Sequence, residues 1–457
     1  MAPRALLLAL LLACGLAVSA EPSSTAGTGR TLRLSTVNPR YFTDSTGRAV
    51  YLTGSHVWWN LVADRSWRAN CDLGSVRPFD YDDYLDRLTD MNHNFIRLWT
   101  IELTAWEECG DRVTIPLQPW LRPGPGRAHD GLPKFDLRRF NSAYFRRLRA
   151  RVAAARARGL YVSVMLFEGW GPQFQPPPWR ASSHPFHRAN NVNGVSPDRN
   201  RDGKLLEMYT LRSPRARRFQ EAYVRRVIDT VRGFDNVLYE IANENGSFSI
   251  PWQYHLIRFV KRYEARRGGL RHPVGMSYVH GDLPGRSLYR SPADWIAPHD
   301  IRHLTDPPAA AGRKVVLSDT DHHCGGCGDA TFPWRVFMRG YSPLFMDEFT
   351  REPRAEQIRR AMGNTRRYAT RITLARMTPR GDLCSTRYCL VWPGREYLVY
   401  QPGEGPFSVT LAPGRFSVEW MHPVNGRITQ VDPVDGGGST TLRPPFAGAA
   451  VAYLRRR

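Results

Sequence analysis

The sequence predicts an α/β protein in which a (β/α)8 TIM barrel is followed by a small antiparallel β-sandwich. From residue 32 to residue 372, short runs rich in β-branched and aromatic residues alternate with helix-like runs, which is typical of parallel strands joined by crossover helices. After Met377 the helical pattern stops, and short strand-like runs separated by Gly and Pro indicate antiparallel sheets over residues 378–457. The 457 residues can hold both domains, since such a barrel takes roughly 250 residues or more.

Eight βα units can be counted from the hydrophobic period and from the Gly and Pro breakers. A hairpin over Arg33–Phe42 precedes the first unit, and helices five and six are short or missing. The predicted strands are Val50–Ser55, Asn94–Trp99, Tyr161–Phe167, Val237–Ala242, Pro273–Val279, Trp295–Ala297, Val315–Asp319 and Pro343–Met346. The predicted helices are Phe79–Met91, Phe140–Arg158, Pro214–Arg232, Trp252–Arg267, Phe332–Arg339 and Arg354–Arg371.

Residues 1–20 have the pattern of an export signal peptide. Arg4 precedes the apolar run Ala5–Ala13, and the small residues that end at Ala20 form a cleavage site. Residues 21–31 are rich in Ser, Thr and Gly and predict a flexible linker. We therefore expect a secreted protein. A lipid anchor through Cys14 is the alternative, because the residues around it resemble a lipobox.

The chain carries a large excess of positive charge. Its formal net charge is +22, from 64 Lys and Arg against 42 Asp and Glu. Arg supplies nearly all of this charge and is scattered over helix faces such as Arg146–Arg158, and no nucleic-acid-binding module is recognisable. We therefore expect no nucleic-acid partner, although an acidic glycan or an anionic cell wall would suit the charge. No stretch after the signal approaches the roughly 20 apolar residues of a membrane span, and the oligomeric state is not predicted.

Six cysteines follow the signal, an even number that suggests disulfides in an exported protein. The spacing favours Cys324–Cys327 and Cys384–Cys389 as local pairs, with Cys71–Cys109 joining two barrel loops. A zinc site at the first pair would need a second CxxC motif. A calcium loop that begins at Asp198 would need Glu, rather than Tyr209, at its twelfth position. The prediction is therefore that the protein holds no metal and no cofactor.

Polar and aromatic residues recur where the predicted barrel strands end. These carboxyl ends form the active-site face of a (β/α)8 barrel. Carboxyl groups can donate or accept protons, Trp faces stack on sugar rings, and His and Asn bind hydroxyl groups. The set therefore predicts a carbohydrate site. Its candidate substrate-binding residues are His56, Trp58, Trp99, Glu168, Trp170, Asn243, His299, His322 and Glu348.

Glu244 is the strongest candidate for a catalytic acid. The apolar run before it predicts a buried strand that delivers Asn243 and Glu244 to the rim of the barrel. Glycoside hydrolysis needs one carboxyl group as proton donor and a second as nucleophile or base. The second is open among Asp319, Asp321 and Glu348, with Asp319 ahead of the other two.

Several motifs resemble those of known carbohydrate-active families. Tyr239–Glu244 resembles the strand-four motif of clan A retaining glycosidases, which include cellulases and related β-glycanases. That resemblance implies Glu244 as acid/base and Asp319 at the nucleophile position, where the clan normally has Glu. Longer segments resemble secreted apiosidase-like barrel proteins, in which a C-terminal domain described as collagen-binding often follows the barrel. These segments are Tyr51–His56, Asn94–Trp99, Asn190–Gly194, Trp252–His255, Ser318–His322, Arg339–Asp347, Tyr388–Tyr400 and Phe416–Trp420.

These features predict an exported glycoside hydrolase that cleaves O-glycosidic bonds of a plant or microbial polysaccharide or oligosaccharide. The predicted boundaries are a signal at 1–20, a linker at 21–31, a barrel at 32–372 and a sandwich at 378–457. The alternative is a non-catalytic carbohydrate- or matrix-binding protein with a degenerate barrel and a sandwich that serves as an anchor.

Overall fold

A parallel barrel surrounded by helices forms the larger part of the protein, as the sequence predicts. The computed structural model describes residues 31–64, 78–177, 181–283, 285–349 and 351–457. The strands are β1 (Gly54–His56), β2 (Phe95–Leu98), β3 (Tyr161–Glu168), β4 (Val237–Asn243), β5 (Val274–Ser277), β6 (Trp295–Ala297), β7 (Val315–Asp319) and β8 (Ser342–Met346). From β2 to β8 each strand pairs with the next one along the chain, and β8 pairs with β1.

The helices follow the predicted alternation, and those after β5 and β6 are short. A five-residue helix follows β5, and a single 3-10 turn, Ile301–Leu304, follows β6. The α-helices of the described part are α1 (Tyr81–Asp90), α2 (Ser142–Ala157), α3 (Trp170–Phe174), α4 (Pro214–Val231), α5 (Ile250–Arg267), α6 (Arg286–Arg290), α7 (Asp321–Cys324), α8 (Phe332–Met338) and α9 (Pro353–Arg371). Within the described residues, no helix is both long enough and apolar enough to cross a membrane.

The barrel closes where β1 meets β2. The Asn94 amide donates to the Thr53 carbonyl at 3.0 Å, and the Asn94 side chain accepts from the Thr53 amide and donates to the Tyr51 carbonyl. Gly54 permits the close approach, because a Cβ there would run into the carbonyl oxygen of Phe95. A small antiparallel sheet, formed by Arg33–Leu34, Phe42–Thr43 and Ala49–Val50, packs apolar side chains into the lower end of the barrel.

Long connections build up the opposite end of the barrel, where the strands terminate. Two hairpins lie between β2 and α2, and an irregular segment with α3 and two 3-10 turns lies between β3 and α4. Beyond the barrel rim, Asn245–Gly246 pairs with Val279–His280 and joins the connections after β4 and β5. Residues of these connections line a cavity at this end of the barrel.

The C-terminal domain consists of two packed antiparallel sheets, as the sequence predicts. The larger sheet contains six strands in the order β9-β10-β11-β16-β13-β14, and the smaller sheet pairs β12 with β15. Apolar side chains from both sheets form its core. The strands are β9 (Thr378–Pro379), β10 (Cys389–Trp392), β11 (Glu396–Gln401), β12 (Phe407–Leu411), β13 (Arg415–Met421), β14 (Ile428–Asp435), β15 (Gly438–Leu442) and β16 (Ala450–Arg456).

A buried aromatic layer joins the two domains. Trp334 on α8 stacks on Tyr400 of β11 with ring centroids 5.9 Å apart, and its indole donates to the Pro423 carbonyl at 3.0 Å. Tyr368 on α9 donates to Glu419 of β13 at 2.8 Å. Shared apolar burial of this kind fixes the sandwich against the side of the barrel.

The cysteine predictions have different outcomes. Cys324 and Cys327 form a disulfide with their Cα atoms 5.8 Å apart. Cys109 is also disulfide-bonded, and its predicted partner Cys71 lies outside the described residues. The predicted Cys384–Cys389 disulfide is wrong for this structure, because both residues are free, buried thiols. Their thiols face each other across the start of β10 in a hydrogen-bonded contact rather than a covalent bond.

We expect Arg359→Ala to destabilise the protein strongly. Arg359 and Asp347 form a fully buried ion pair at 2.7 Å, which fixes α9 to the end of β8. Removing the guanidinium leaves the Asp347 carboxyl buried without its cation, at a cost of about 3–5 kcal/mol. Arg360→Ala is the matched control, because Arg360 is 59% exposed and its pair with Glu356 lies on the surface. Urea unfolding monitored by circular dichroism checks both, and equal losses in the two variants would contradict this account.

Candidate active site

A cavity of about 520 Å³ opens at the end of the barrel where the strands terminate. Its size falls in the range of small-molecule sites. The connections after β1 to β7 and the last residue of β8 all contribute to its wall. The lining residues are Trp58, Trp106, Glu107, Glu108, Cys109, Trp170, Gln175, Glu244, Tyr278, His280, His299, Asp321, His322, His323, Cys324, Gly325 and Met346.

Aromatic rings form two walls of this cavity. On one side, Trp106 stacks on Trp170 with ring centroids 5.6 Å apart, and both rings contact Trp58. On the other side, Tyr278 packs against His280 and His299 at 4.7 and 4.8 Å. Flat aromatic faces beside hydrogen-bonding groups suit a ligand with both apolar and polar faces, such as a sugar ring.

Beneath the cavity, one buried arginine connects the functional side chains. Arg97 on β2 binds both oxygens of Glu240 at 2.6 and 3.0 Å. It also donates to Asp319 at 3.1 Å, to Asp321 at 3.0 Å and to the side-chain Oδ1 of Asn243 at 2.7 Å. Although burial opposes its charge, the surrounding carboxylates raise the pKa of Arg97. The cation therefore stays protonated and fixes four side chains at once.

Asp319 ends β7 and lies below the cavity rather than in its wall. The side chain is fully buried, and it accepts hydrogen bonds from His56, Arg97 and the amide of Asp321. The Trp99 indole donates to His56 Nδ1 at 3.2 Å, which leaves the Nε2–H group to donate to Asp319. Burial alone would raise the pKa of Asp319, but His56 and Arg97 hold it well below its ordinary value. Asp319 is thus an ionised structural anchor.

Asp321 faces the cavity from the first residue of α7. Its Oδ2 accepts from Arg97, while its Oδ1 makes no hydrogen bond within the described part of the chain. Burial, together with the negative charge of Asp319, raises the pKa of Asp321 to about 6 despite the attraction of Arg97. At neutral pH this group therefore presents a free carboxylate oxygen to the cavity.

Glu244 faces the same cavity from the end of β4. Its backbone adopts a left-handed conformation with φ at 48°, a strained geometry for a residue other than glycine that is common at functional sites. Its carboxyl group makes no hydrogen bond within the described residues. Burial, followed by the negative charges of Asp321 and Glu168, raises the pKa of Glu244 well above its ordinary value. Burial thus raises the pKa of both cavity carboxyl groups, and the charge of Asp321 adds to the effect on Glu244.

Asn243 and His322 adjoin Glu244 and Asp321 in the chain and are hydrogen-bonded to each other. The side-chain Oδ1 of Asn243 accepts from Arg97 and from His322 Nε2, the latter at 3.1 Å. Burial and the nearby Arg97 charge lower the pKa of His322 well below its ordinary value, so the ring is neutral. The Asn243 amide nitrogen and the His322 Nδ1 atom have no partner within the described protein. They are therefore a buried donor and a buried acceptor without a partner in that part of the chain.

The structure brings together only part of the predicted set. Glu244, Asp321, Trp58, Trp170, His299 and His322 line the cavity. His56, Trp99, Asn243 and Asp319 lie beneath it, and Glu348 is not in its wall. Glu168 also lies outside the wall. Its carboxyl group accepts hydrogen bonds from the amides of Trp170 and Gly171, and these bonds position the Trp170 ring. Burial raises the pKa of Glu168 to about 8.

Some site residues were not predicted. Arg97, Tyr278 and His280 lie at or near strand ends, which is the signal that could have identified them. Trp106 does not lie near the end of a barrel strand. It lies on Ala105–Glu108, the first strand of a hairpin that belongs to no βα unit. Among the residues that the structure describes, no group of three or more His, Cys, Asp or Glu side chains converges as metal ligands would.

Comparisons with known proteins agree with this architecture. Residues 113–279, which include Glu244, match the model of a domain of unknown function, DUF6298. Comparison with curated proteins finds no match.

Two solved structures with a similar fold are glycoside hydrolases. A glycoside hydrolase family 5 protein from Bacteroides vulgatus ATCC 8482 is similar with a TM-score of 0.61 at 10% identity, over 93% of each chain. A second structure, a glycoside hydrolase, has a TM-score of 0.57 at 10% identity, over 93% of this chain and 97% of its own. At this identity the likeness shows a shared fold.

We expect Glu244→Gln to stabilise the protein at neutral pH. The unfolded chain releases the Glu244 proton near the ordinary carboxyl pKa of 4.5, whereas the folded protein holds that proton to a higher pH. Stability conferred by wild-type Glu244 therefore falls as pH rises above that value. Gln carries no ionisable proton, so the variant should gain about 1 kcal/mol or more at pH 7. Urea unfolding at pH 7 and pH 4 measures the gain, which should vanish at pH 4. A gain that is independent of pH would contradict the raised pKa.

Proposed function

We propose that the protein is an exported glycoside hydrolase that cleaves O-glycosidic bonds in a plant or microbial glycan. The observation that carries this proposal is that the carboxyl groups of Glu244 and Asp321 face one cavity at the end of the barrel, where burial raises the pKa of both. Glycoside hydrolysis needs one protonated and one ionised carboxyl group on opposite sides of the scissile bond. The fold shared with glycoside hydrolases supports the proposal.

In the proposed mechanism Glu244 is the proton donor. A bound sugar lies between the aromatic walls, and the Glu244 carboxyl protonates the glycosidic oxygen as the C–O bond to the anomeric carbon breaks. Burial and the neighbouring carboxyl groups favour the protonated form of Glu244, so that the group can transfer its proton in the transition state. A water molecule then adds to the anomeric carbon, and Glu244, now ionised, can accept a proton from it.

Asp321 is the proposed second carboxyl group. Its free Oδ1 atom can attack the anomeric carbon or activate the water that does so, and the anomeric configuration of the first product distinguishes these routes. Asp319, first among the candidates from sequence, supports Asp321 instead, because its oxygens are engaged by His56, Arg97 and the amide of Asp321. Asn243 and His322 would bind sugar hydroxyl groups with their unpaired polar atoms.

Export is supported by the signal-like residues 1–20 and by the cysteine chemistry of the cavity. Cys324 and Cys109 line the cavity, and both are disulfide-bonded. Disulfides persist in oxidising compartments and are rare in the cytosol. The C-terminal sandwich would then hold the barrel near a glycan or another extracellular matrix.

We expect Glu244→Gln and Asp321→Asn to have different effects on different leaving groups. On a glycan identified from a substrate panel, each should lower kcat by about a thousandfold, within the range of acid–base catalysis. On a 4-nitrophenyl glycoside of the same sugar, Glu244→Gln should lose far less activity, because that leaving group departs without a proton. Asp321→Asn should remain inactive on both substrates. Glu404→Gln, in an exposed turn of the sandwich, is the matched control.

A rescue experiment separates Asp321 from Asp319. Azide should restore hydrolysis of the 4-nitrophenyl glycoside to Asp321→Ala, because the small anion can enter the space left by a cavity-facing carboxylate. Asp319→Ala should not respond, since its side chain lies beneath the cavity. Rescue of Asp319→Ala alone would assign the second carboxyl role to Asp319. Glycan binding without turnover by the wild type would favour the binding-protein alternative.

We expect kcat/KM for the natural glycan to rise through about pH 6 and to fall at a higher pH. The acid limb reports ionisation of Asp321, whose pKa burial raises to about 6, and the alkaline limb reports loss of the Glu244 proton. Because the two carboxyl groups interact, the pKa values read from the two limbs describe the pair rather than either residue alone. With the 4-nitrophenyl glycoside the alkaline limb should weaken and the acid limb should stay. An acid limb near pH 4 would contradict the assignment of Asp321.

A further inference from the structure

Three large apolar side chains are exposed on the consecutive connections after β3, β4 and β5, each of which also contributes residues to the cavity wall. Phe174 lies after β3, Phe248 after β4 and Leu283 after β5, and they are 44%, 38% and 67% exposed. We call this set the apolar rim. Single exposed apolar residues are common in proteins. Exposure alone therefore does not indicate a binding site, whereas the location of the three residues can.

Contacts join the connections that carry the apolar rim. The Phe174 ring packs on His280, a cavity residue, with centroids 4.8 Å apart. Gly246 pairs with His280, and a Cβ on Gly246 would collide with the ring of Phe248. A Cβ on Gly281 would lie 3.4 Å from Ser247 Oγ, so the chain that leads to Leu283 lies against the one that carries Phe248.

The apolar rim lies on the Glu244 side of the cavity. Gln173, the residue before Phe174, donates to the Glu244 carbonyl at 3.0 Å. Phe248 follows Glu244 by four residues along the connection after β4. A proton donor must lie within hydrogen-bond reach of the leaving oxygen. The group that departs with that oxygen therefore extends over the apolar rim.

Two polar side chains that adjoin the apolar rim already have hydrogen-bond partners. Gln173 Nε2 donates to the carbonyls of Gly169 and Glu244. Asp282 Oδ2 accepts from the amide and the hydroxyl of Ser287. Leu283 is aliphatic and offers no flat face to a sugar ring. An apolar group would instead cover surface that is now exposed to water.

We propose that the apolar rim is the subsite for an apolar leaving group, an aryl or alkyl aglycone linked to the sugar that the cavity holds. This inference rests on the proposed hydrolysis. Glu244 gives its proton to the aglycone oxygen as the glycosidic C–O bond breaks, and water supplies the hydroxyl group of the released sugar. The product that leaves over the apolar rim is an alcohol or a phenol.

The test compares n-octyl and methyl glycosides of the sugar that the wild type releases from the glycan panel. Both alcohols are similar leaving groups chemically, so the ratio of their kcat/KM values isolates apolar binding. The wild type should favour the octyl glycoside by about tenfold or more, since each added methylene can contribute in an apolar site. In Phe248→Ser/Leu283→Ser the ratio should fall toward one. Val431→Ser, which removes an apolar residue 40% exposed on the sandwich, should keep the wild-type ratio.

Each outcome has a distinct meaning. A general structural defect in the double variant would lower both rates and leave their ratio unchanged, which would overturn the subsite. Equal rates on the two glycosides in the wild type would also overturn it, as would a preference for an oligosaccharide leaving group over octanol. Absence of hydrolysis on every glycan and glycoside would overturn the proposed function itself.

Discussion

The ion network around Arg97 is the constraint on which the rest of the site depends. One buried guanidinium binds three carboxylates, Glu240, Asp319 and Asp321, so the network has more negative than positive charge. Arginine cannot release its proton in a protein, and Asp319 keeps its negative charge because both of its oxygens are hydrogen-bonded. The excess negative charge therefore acts on the carboxyl groups nearest the cavity. It adds to burial in raising the pKa values of Asp321 and Glu244.

This arrangement divides two tasks between neighbouring aspartates. Asp319 ends β7, points beneath the cavity and holds Arg97 and His56 in place. Asp321 is the first residue of α7, and its carboxyl group faces the same cavity as Glu244. Because the Asp321 amide donates to the Asp319 carboxylate, the position of one aspartate fixes that of the other. In the proposed mechanism the free oxygen of Asp321 is the reactive one, because both oxygens of Asp319 are already hydrogen-bonded.

Much of the barrel could be predicted from the sequence, because strand and helix periods are local properties. Val237–Asn243 is apolar and β-rich, and its prediction placed Glu244 at the cavity. The choice between Asp319 and Asp321 could not be made in the same way. Side-chain parity holds only while a strand continues, and the chain turns into α7 immediately after Asp319. Trp106 was missed for a related reason, since its hairpin reaches the cavity from outside the βα pattern. The Cys384–Cys389 prediction relied on spacing, which does not determine whether two thiols that meet are oxidised.

The position of Asp321 also connects the chemistry to the cysteines. Its helix, α7, has four residues, which is far too short to be stable by its own hydrogen bonds. Contacts with other elements hold it, among them Arg97 at Asp321, His299 at the His322 carbonyl and the Cys324–Cys327 disulfide at its end. The disulfide closes the loop immediately after the helix and limits the conformations that the connection can adopt. If the disulfide is reduced, hydrogen bonds alone keep the Asp321 carboxyl group facing the cavity. A compartment that maintains disulfides is therefore a condition for the proposed chemistry as well as for stability.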